Sequence, residues 1–273
     1  MADIDGAIGY VIAHGDGVDR ARLSWLRSGI APPPEALAKA EQGQASTGGW
    51  PAYWASNVAS VDATCFRLAE LDDLGALDRE PAREALHWLA SRQRPDGTWE
   101  EDESLARSAP SWAKPGDPEA RLYLTANAGF WLAVAGPPAG PDPDALSPAA
   151  NAHAEVVARA TQAFRAALRD DGTWPSYLVA GWLGAALLYH AGWFYEAAQI
   201  QVILAERVPE MSPADTAWLA AALRRVGMST DDWLLAAARK RLTETQRSDG
   251  GWESDDGDAF NVHTTLTALR ALR

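Results

Sequence analysis

Few side chains in this chain are placed to do chemistry, and Asp62 leads them. It stands in Ser60-Val61-Asp62-Ala63-Thr64-Cys65, at the start of an apolar stretch. Burial among apolar side chains raises the pKa of a carboxyl group. The plainer role of such an aspartate is to cap the helix or to sit in its first turn, where the dipole favours it. Three more segments start in a similar way: Leu124-Thr125-Ala126 after Tyr123, Asp215-Thr216-Ala217, and His263-Thr264-Thr265. The aromatic supply is unusual too, with 13 Trp against 5 Phe and 6 Tyr. Trp54, Trp131, Trp182 and Trp218, with Tyr123 and Phe66, fall on or beside the apolar stretches. Their ring faces can stabilise a cation without capturing it, and they exclude water. The acidic run Glu100-Glu101-Asp102-Glu103 reads as a solvated loop, and Asp255-Asp256-Gly257-Asp258 lacks the spacing of a metal–diphosphate site. No Gly-rich phosphate loop and no Gly-x-Ser-x-Gly elbow occurs.

The elements that position these residues repeat. Gln44-Ala-Ser-Thr-Gly-Gly-Trp50, Gln93-Arg-Pro-Asp-Gly-Thr-Trp99 and Gln246-Arg-Ser-Asp-Gly-Gly-Trp252 share one spacing, and Leu168-Arg-Asp-Asp-Gly-Thr-Trp174 is a fourth copy with Leu for Gln. Amphipathic stretches with helical period precede three of the copies, over 79–92, 151–169 and 230–245. More apolar helices follow all four, over 58–71, 121–134, 178–190 and 262–272. The Asp-Gly pair supplies the reversal, with Gly ending the outer helix in a left-handed conformation and Asp bonding nearby backbone. Trp50, Trp99, Trp174 and Trp252 are expected to pack where the chain turns. Two hairpins without the motif, 7–14 with 18–26 and 194–206 with 213–225, keep the alternation. The count is about 12 helices in six hairpins, with no segment of strand period. The expected fold class is all-α, an (α/α)6 toroid as one domain over 1–273, with closure around a central cavity favoured over an open solenoid because neither end shows a polar capping repeat. The Pro/Gly-rich stretch 136–148 reads as a surface loop.

Composition narrows the partners. Hydrophobic residues make up 47% and charged residues 22%, which suits a packed globule. A net charge of −13 speaks against nucleic acid and anionic membrane surfaces. Residues 177–195 carry no charge apart from His190, but three glycines and a break at 190–192 favour a helix buried on all sides over a membrane span. Peripheral contact with a bilayer stays open. One cysteine, Cys65, excludes an internal disulfide, and the acidic N-terminus does not read as a signal peptide, so a cytoplasmic location is expected.

The Gln-x-x-x-Gly-x-Trp repeats resemble the QW motifs of triterpene cyclases such as squalene–hopene cyclase, and the α/α toroid they imply is shared with the β subunits of protein prenyltransferases. The resemblance spans nearly the whole chain, but squalene–hopene cyclases have two such domains and about twice its length. In such a ring all inner helices run the same way, which gathers Asp62, Tyr123, Asp215 and His263 at one mouth of the cavity. Ser60 to Cys65 resembles the Asp-x-Asp-Asp-Thr-Ala segment of class II terpene cyclases, with the central Asp kept at Asp62 and Ser60 and Ala63 replacing flanking acids. The resemblance implies that Asp62 protonates a hydrophobic polyene or isoprenoid. Trp54, Cys65, Phe66, Tyr123, Trp131, Trp182 and Trp218 would line its site, with His263 and Asp215 as further catalytic candidates and no cofactor.

Other readings stand beside this one. Asp258-Ala-Phe-Asn-Val-His263-Thr264 resembles the zinc-binding Asp-x-Tyr-His-Thr segment of prenyltransferases. Asp62 and Cys65, three apart on one helix face, with His263 would then hold zinc for prenyl transfer. Asp62 and Asp215 could be the carboxylate pair of a carbohydrate-active toroid. A toroid that only binds lipid or protein is the non-catalytic alternative. The sequence leaves the substrate's length, the product and the oligomeric state open.

Overall fold

The computed structural model describes residues 1–55, 57–135 and 153–273. Twelve α-helices are found among them, and the stretch 136–148 read as a loop lies outside them. In chain order the helices are α1 (Ile4–His14), α2 (Gly17–Ser28), α3 (Pro34–Glu41), α4 (Val61–Asp73), α5 (Glu80–Ser91), α6 (Pro118–Val134), α7 (Ala154–Ala167), α8 (Leu178–His190), α9 (Phe194–Arg207), α10 (Pro213–Arg225), α11 (Trp233–Thr245) and α12 (Asn261–Leu272). The short α3, absent from the sequence reading, stands before the first copy of the motif. The other departure is a two-residue antiparallel pair, β1 (Trp50–Pro51) with β2 (Ala59–Ser60), in register Trp50 opposite Ser60.

The chain divides into two compact units. One comprises Met1–Ala40, Glu70–Ala76 and Val202–Arg273, and the other Glu41–Ala69 and Leu77–Gln201. In the first, α12 packs on α10, α1 and α2. In the second, α6 packs on α8, α7 and α5. Helix α8 contains no Asp, Glu, Lys or Arg, and Ala180 to Leu188 are all buried. No helix among the described residues is long and apolar enough to cross a membrane.

The motif residues hold inner and outer helices together by a repeated set of bonds. The backbone N–H groups of Trp50, Trp99 and Trp252 donate to the hydroxyls of Thr64, Thr125 and Thr265, at 2.9, 3.1 and 3.1 Å. Each threonine in turn donates to the carbonyl four residues earlier in its own helix or at its start. The threonines shared by these inner-helix starts are therefore anchors. The indole N–H groups of Trp99 and Trp252 each donate at 2.8 Å to the carbonyl ten residues back, Leu89 and Leu242. The side-chain amides of Gln44, Gln93 and Gln246 bridge their own turn to the start of another outer helix, at Pro81, Val156 and Asp3. Leu168 has no amide to do this.

The glycine has a different role from the one its sequence suggested. Helix α5 ends at Ser91, and its cap, Arg92, is right-handed, so Gly97 does not terminate it. Gly97 (φ 85°) instead closes the turn Arg94–Gly97, and a Cβ there would lie 2.6 Å from the carbonyl oxygen of Arg159. The position needs both a left-handed backbone and the close approach of a neighbouring helix. Asp96 accepts from the backbone N–H and hydroxyl of Thr98, as an aspartate in a turn should.

Candidate active site

Asp62 occupies the first turn of α4 but does not cap it. The hydroxyl of Ser60 accepts from Ala63 N–H at 3.1 Å, which makes Ser60 the cap. The same hydroxyl donates to Glu101 Oε1 at 2.8 Å. Glu101 then accepts the two adjacent helix N–H groups, from Val61 on Oε2 at 2.9 Å and from Asp62 on Oε1 at 3.0 Å. A carboxyl group on the open N–H groups of a helix satisfies donors that would otherwise be orphaned. Glu101 is only 4% exposed, so the acidic run read as solvated contains one buried member. Burial raises its pKa to about 7, against the lowering effect of the three bonds. The capping hydroxyl at position 60 thus meets a carboxyl group 41 residues away in sequence.

The Asp62 carboxyl is left for side-chain partners. Tyr123 OH donates to Oδ1 at 2.6 Å, and Trp112 Nε1–H donates to Oδ2 at 3.2 Å. Asn127, one turn beyond Tyr123 on α6, donates its amide to the Tyr123 oxygen at 3.2 Å. The ring of Tyr177 meets that of Tyr123 edge-on, with centroids 6.4 Å apart. Burial raises the Asp62 pKa, and the Tyr123 and Trp112 bonds oppose the rise. Burial and the charge of Asp62 raise Tyr123 well above its usual range. Cys65 is also raised well above its usual range, by burial and then by Asp62 and Glu101, so it is a neutral thiol. Four groups of this site, Glu101, Trp112, Tyr123 and Asn127, come from residues 101–127, around the connection between α5 and α6.

Trp112 and Glu101 were missed in the sequence. Trp112 lies on a short 3-10 turn, Ser111–Ala113, which packs on α6 and whose Ala113 is fully buried. Its neighbours, Pro110-Ser111-Trp112-Ala113-Lys114, carry no helical or strand period. The rest of the expected aromatic set is divided. Trp131 and Trp182 are 3% and 2% exposed and belong to the core, Trp54 is half-buried, and Phe66, one turn beyond Asp62, is exposed.

Asp215, Trp218 and His263 belong to the first unit, on α10 and α12. Asp215 is half-buried, and burial, then Asp255 and Asp256, raise its pKa to about 6. The ring of His263 lies tilted by 33° against that of Trp218, with centroids 5.4 Å apart, and its Nδ1 lies 3.1 Å from the Arg22 guanidinium. Burial, then Arg22 and Arg225, push its pKa well below the usual histidine range. The ring is therefore neutral, with Nδ1 accepting from Arg22 and the proton on Nε2. Among the described residues no group of three His, Cys, Asp or Glu side chains is placed to hold a metal ion.

Comparison with known proteins agrees with this architecture. No family model matches the chain, and no curated protein is detectably similar in sequence. Among solved structures, a protein from Actinoplanes is 20% identical with a TM-score of 0.63, covering 99% of this chain and 98% of its own. The type II terpene cyclase MstE from Scytonema is 19% identical with a TM-score of 0.62, covering 98% of this chain and 95% of its own. A variant of that cyclase in complex with its substrate, geranylgeranyl dihydroxybenzoate, is 19% identical with a TM-score of 0.57, covering 97% of this chain and 86% of its own. The chain has an all-α fold of the terpene-cyclase kind.

Proposed function

We propose that the chain is a class II terpene-cyclase-like enzyme, in which Asp62 protonates a hydrophobic polyene and the resulting cation closes into rings. The observation that carries this reading is the Asp62 carboxyl. It is freed from capping duty by Ser60 and Glu101, and it is held by two donors on its two oxygens in surroundings that favour its protonated form. In the first step the Asp62 O–H bond breaks as a C–H bond forms from the alkene π electrons. The cation appears on the neighbouring carbon, and the O–H electron pair stays on the carboxylate. Successive double bonds attack that cation. Loss of a proton from the last cation and return of one to Asp62 make the sequence a net isomerisation. The half-buried Tyr123 and Trp54 and the exposed faces of Phe66 and Trp112 supply ring faces of the kind that stabilise cations without trapping them.

The fold likeness to cyclases crystallised with isoprenoid ligands supports a substrate of that class. The proposed reaction needs no cofactor. The test is turnover of geranylgeranyl dihydroxybenzoate by the full-length protein and by Asp62→Asn. The variant should lose about a thousandfold or more in kcat, the order expected for removing a general acid. Its thermal melt by circular dichroism should match the parent's. Equal product formation by the variant would remove Asp62 from the role.

A further inference from the structure

The proposed reaction asks two opposite things of Asp62. It must hold its proton at rest, and it must be a strong acid at the moment of transfer, because an alkene is a very weak base. Burial serves the first need. The second requires that negative charge growing on the carboxyl oxygens meet dipoles already aimed at them. Tyr123 meets Oδ1 in this way. We infer that Trp112 does the same for Oδ2: its indole N–H is a positioning device that stabilises the carboxylate left behind by proton transfer and fixes the plane of the Asp62 carboxyl.

The direction of the bonds makes the case. An indole N–H only donates. The Tyr123 oxygen already accepts from Asn127, which directs the hydroxyl proton of Tyr123 toward Asp62 Oδ1. Both partners therefore give hydrogen bonds to Asp62, and the acid proton is not drawn into a bond with either. Oδ2 keeps one lone-pair direction for that proton and receives the Trp112 N–H on the other. Packing alone does not account for the residue. Trp112 is 40% exposed, whereas Ala113 beside it on the same turn is fully buried. Trp112 also reaches Asp62 across 50 residues of sequence, beside a second visitor to the same helix start, Glu101.

This inference rests on the proposed role of Asp62, and its test separates the two. Trp112→Phe keeps an aromatic ring and removes the N–H. The titratable groups facing Asp62, namely Glu101, Cys65 and Tyr123, are the same in the parent and in this variant. The Asp62 carboxyl is titrated by carbon NMR in the full-length chain labelled at aspartate, with Asp62→Asn assigning the resonance. Trp112→Phe should raise the Asp62 pKa by about one, the size expected for one bond to a charged group. It should also lower kcat about tenfold with KM within about twofold. An unmoved Asp62 pKa in Trp112→Phe overturns the inference, as does a raised pKa with full kcat. If the parent protein turns over no polyene, the acid role of Asp62 falls, and the titration still decides whether the indole stabilises the carboxylate.

Discussion

Two carboxyl groups meet the start of α4 and are put to different uses. Glu101 accepts backbone N–H groups and a hydroxyl, while Asp62 accepts from two aromatic side chains. Asp62 was legible in the sequence because it begins an apolar helix and sits in a recognisable segment. Glu101 was not, because an acidic run looks solvated until its setting is known. Its neighbour Glu100 is an ion-pair partner of Arg94 and Arg121, as a run of that kind ordinarily provides. The pKa of Glu101, raised from 4.5 to about 7, has a consequence for stability. The folded state binds the proton more tightly than the unfolded chain. The resulting stabilisation is complete below about pH 4.5 and is lost as pH rises through about 7. Relative to Glu101→Gln, which does not titrate, the parent protein should therefore lose about 3 kcal/mol between pH 4.5 and 8. Urea unfolding of both proteins across that range checks the slope. A parent that gained on the variant with rising pH would show that the helix N–H groups outweigh burial.

At the scale of elements, helix periodicity located the hairpins well, because an amphipathic face repeats every few residues whatever it packs against. Helices α8 and α10 span the residues expected of them, and α6 and α12 start within a turn of the expected position. The threonines at the inner-helix starts were visible, but their purpose was not. That Thr64, Thr125 and Thr265 each hold the backbone of a turn tryptophan appears only when both segments are in place. The Gln in three copies is explained in the same way, by its bond to an outer helix from elsewhere in the chain. Helix α8 illustrates what close packing demands. A Cβ at Gly184 would lie 2.0 Å from the ring of Phe164 on α7. Both the ring and the helix are buried, so neither has room to yield. Gly184→Ala should destabilise the chain by about 1–3 kcal/mol despite the better helix propensity of alanine. A shift of the urea midpoint measures it, and an unchanged or raised midpoint would show that α7 and α8 can separate without penalty.

Over the whole chain, the sequence is strongly acidic, yet its most buried charges include several arginines. In the first unit Arg22, 1% exposed, pairs with Asp73 at 2.8 Å, and Arg225 pairs with Asp72 and Asp73 at 2.7 and 3.0 Å. Arg270 joins the same two aspartates. The network ties α2 to the end of α4 and to α10 and α12, segments spread from one end of the chain to the other. Arg22→Met would leave Asp73 with fewer donors in a dry setting and His263 without its guanidinium. It should cost on the order of 3 kcal/mol in urea unfolding, the scale for breaking a buried pair from one side. A loss below about 0.5 kcal/mol would place Arg22 with the surface pairs.

The all-α hairpin fold was determined by the amino-acid sequence alone, since its evidence is local and repeated: period, turn residues and a motif written four times. Candidate residues with the right chemistry were also visible there. Only the tertiary structure decided which groups touch Asp62, because Tyr123, Trp112 and Glu101 come from 39 to 61 residues away along stretches whose pattern gives no hint of the meeting. It also decided the protonation of these groups, which depends on what surrounds a carboxyl or an imidazole and not on where it stands in the chain.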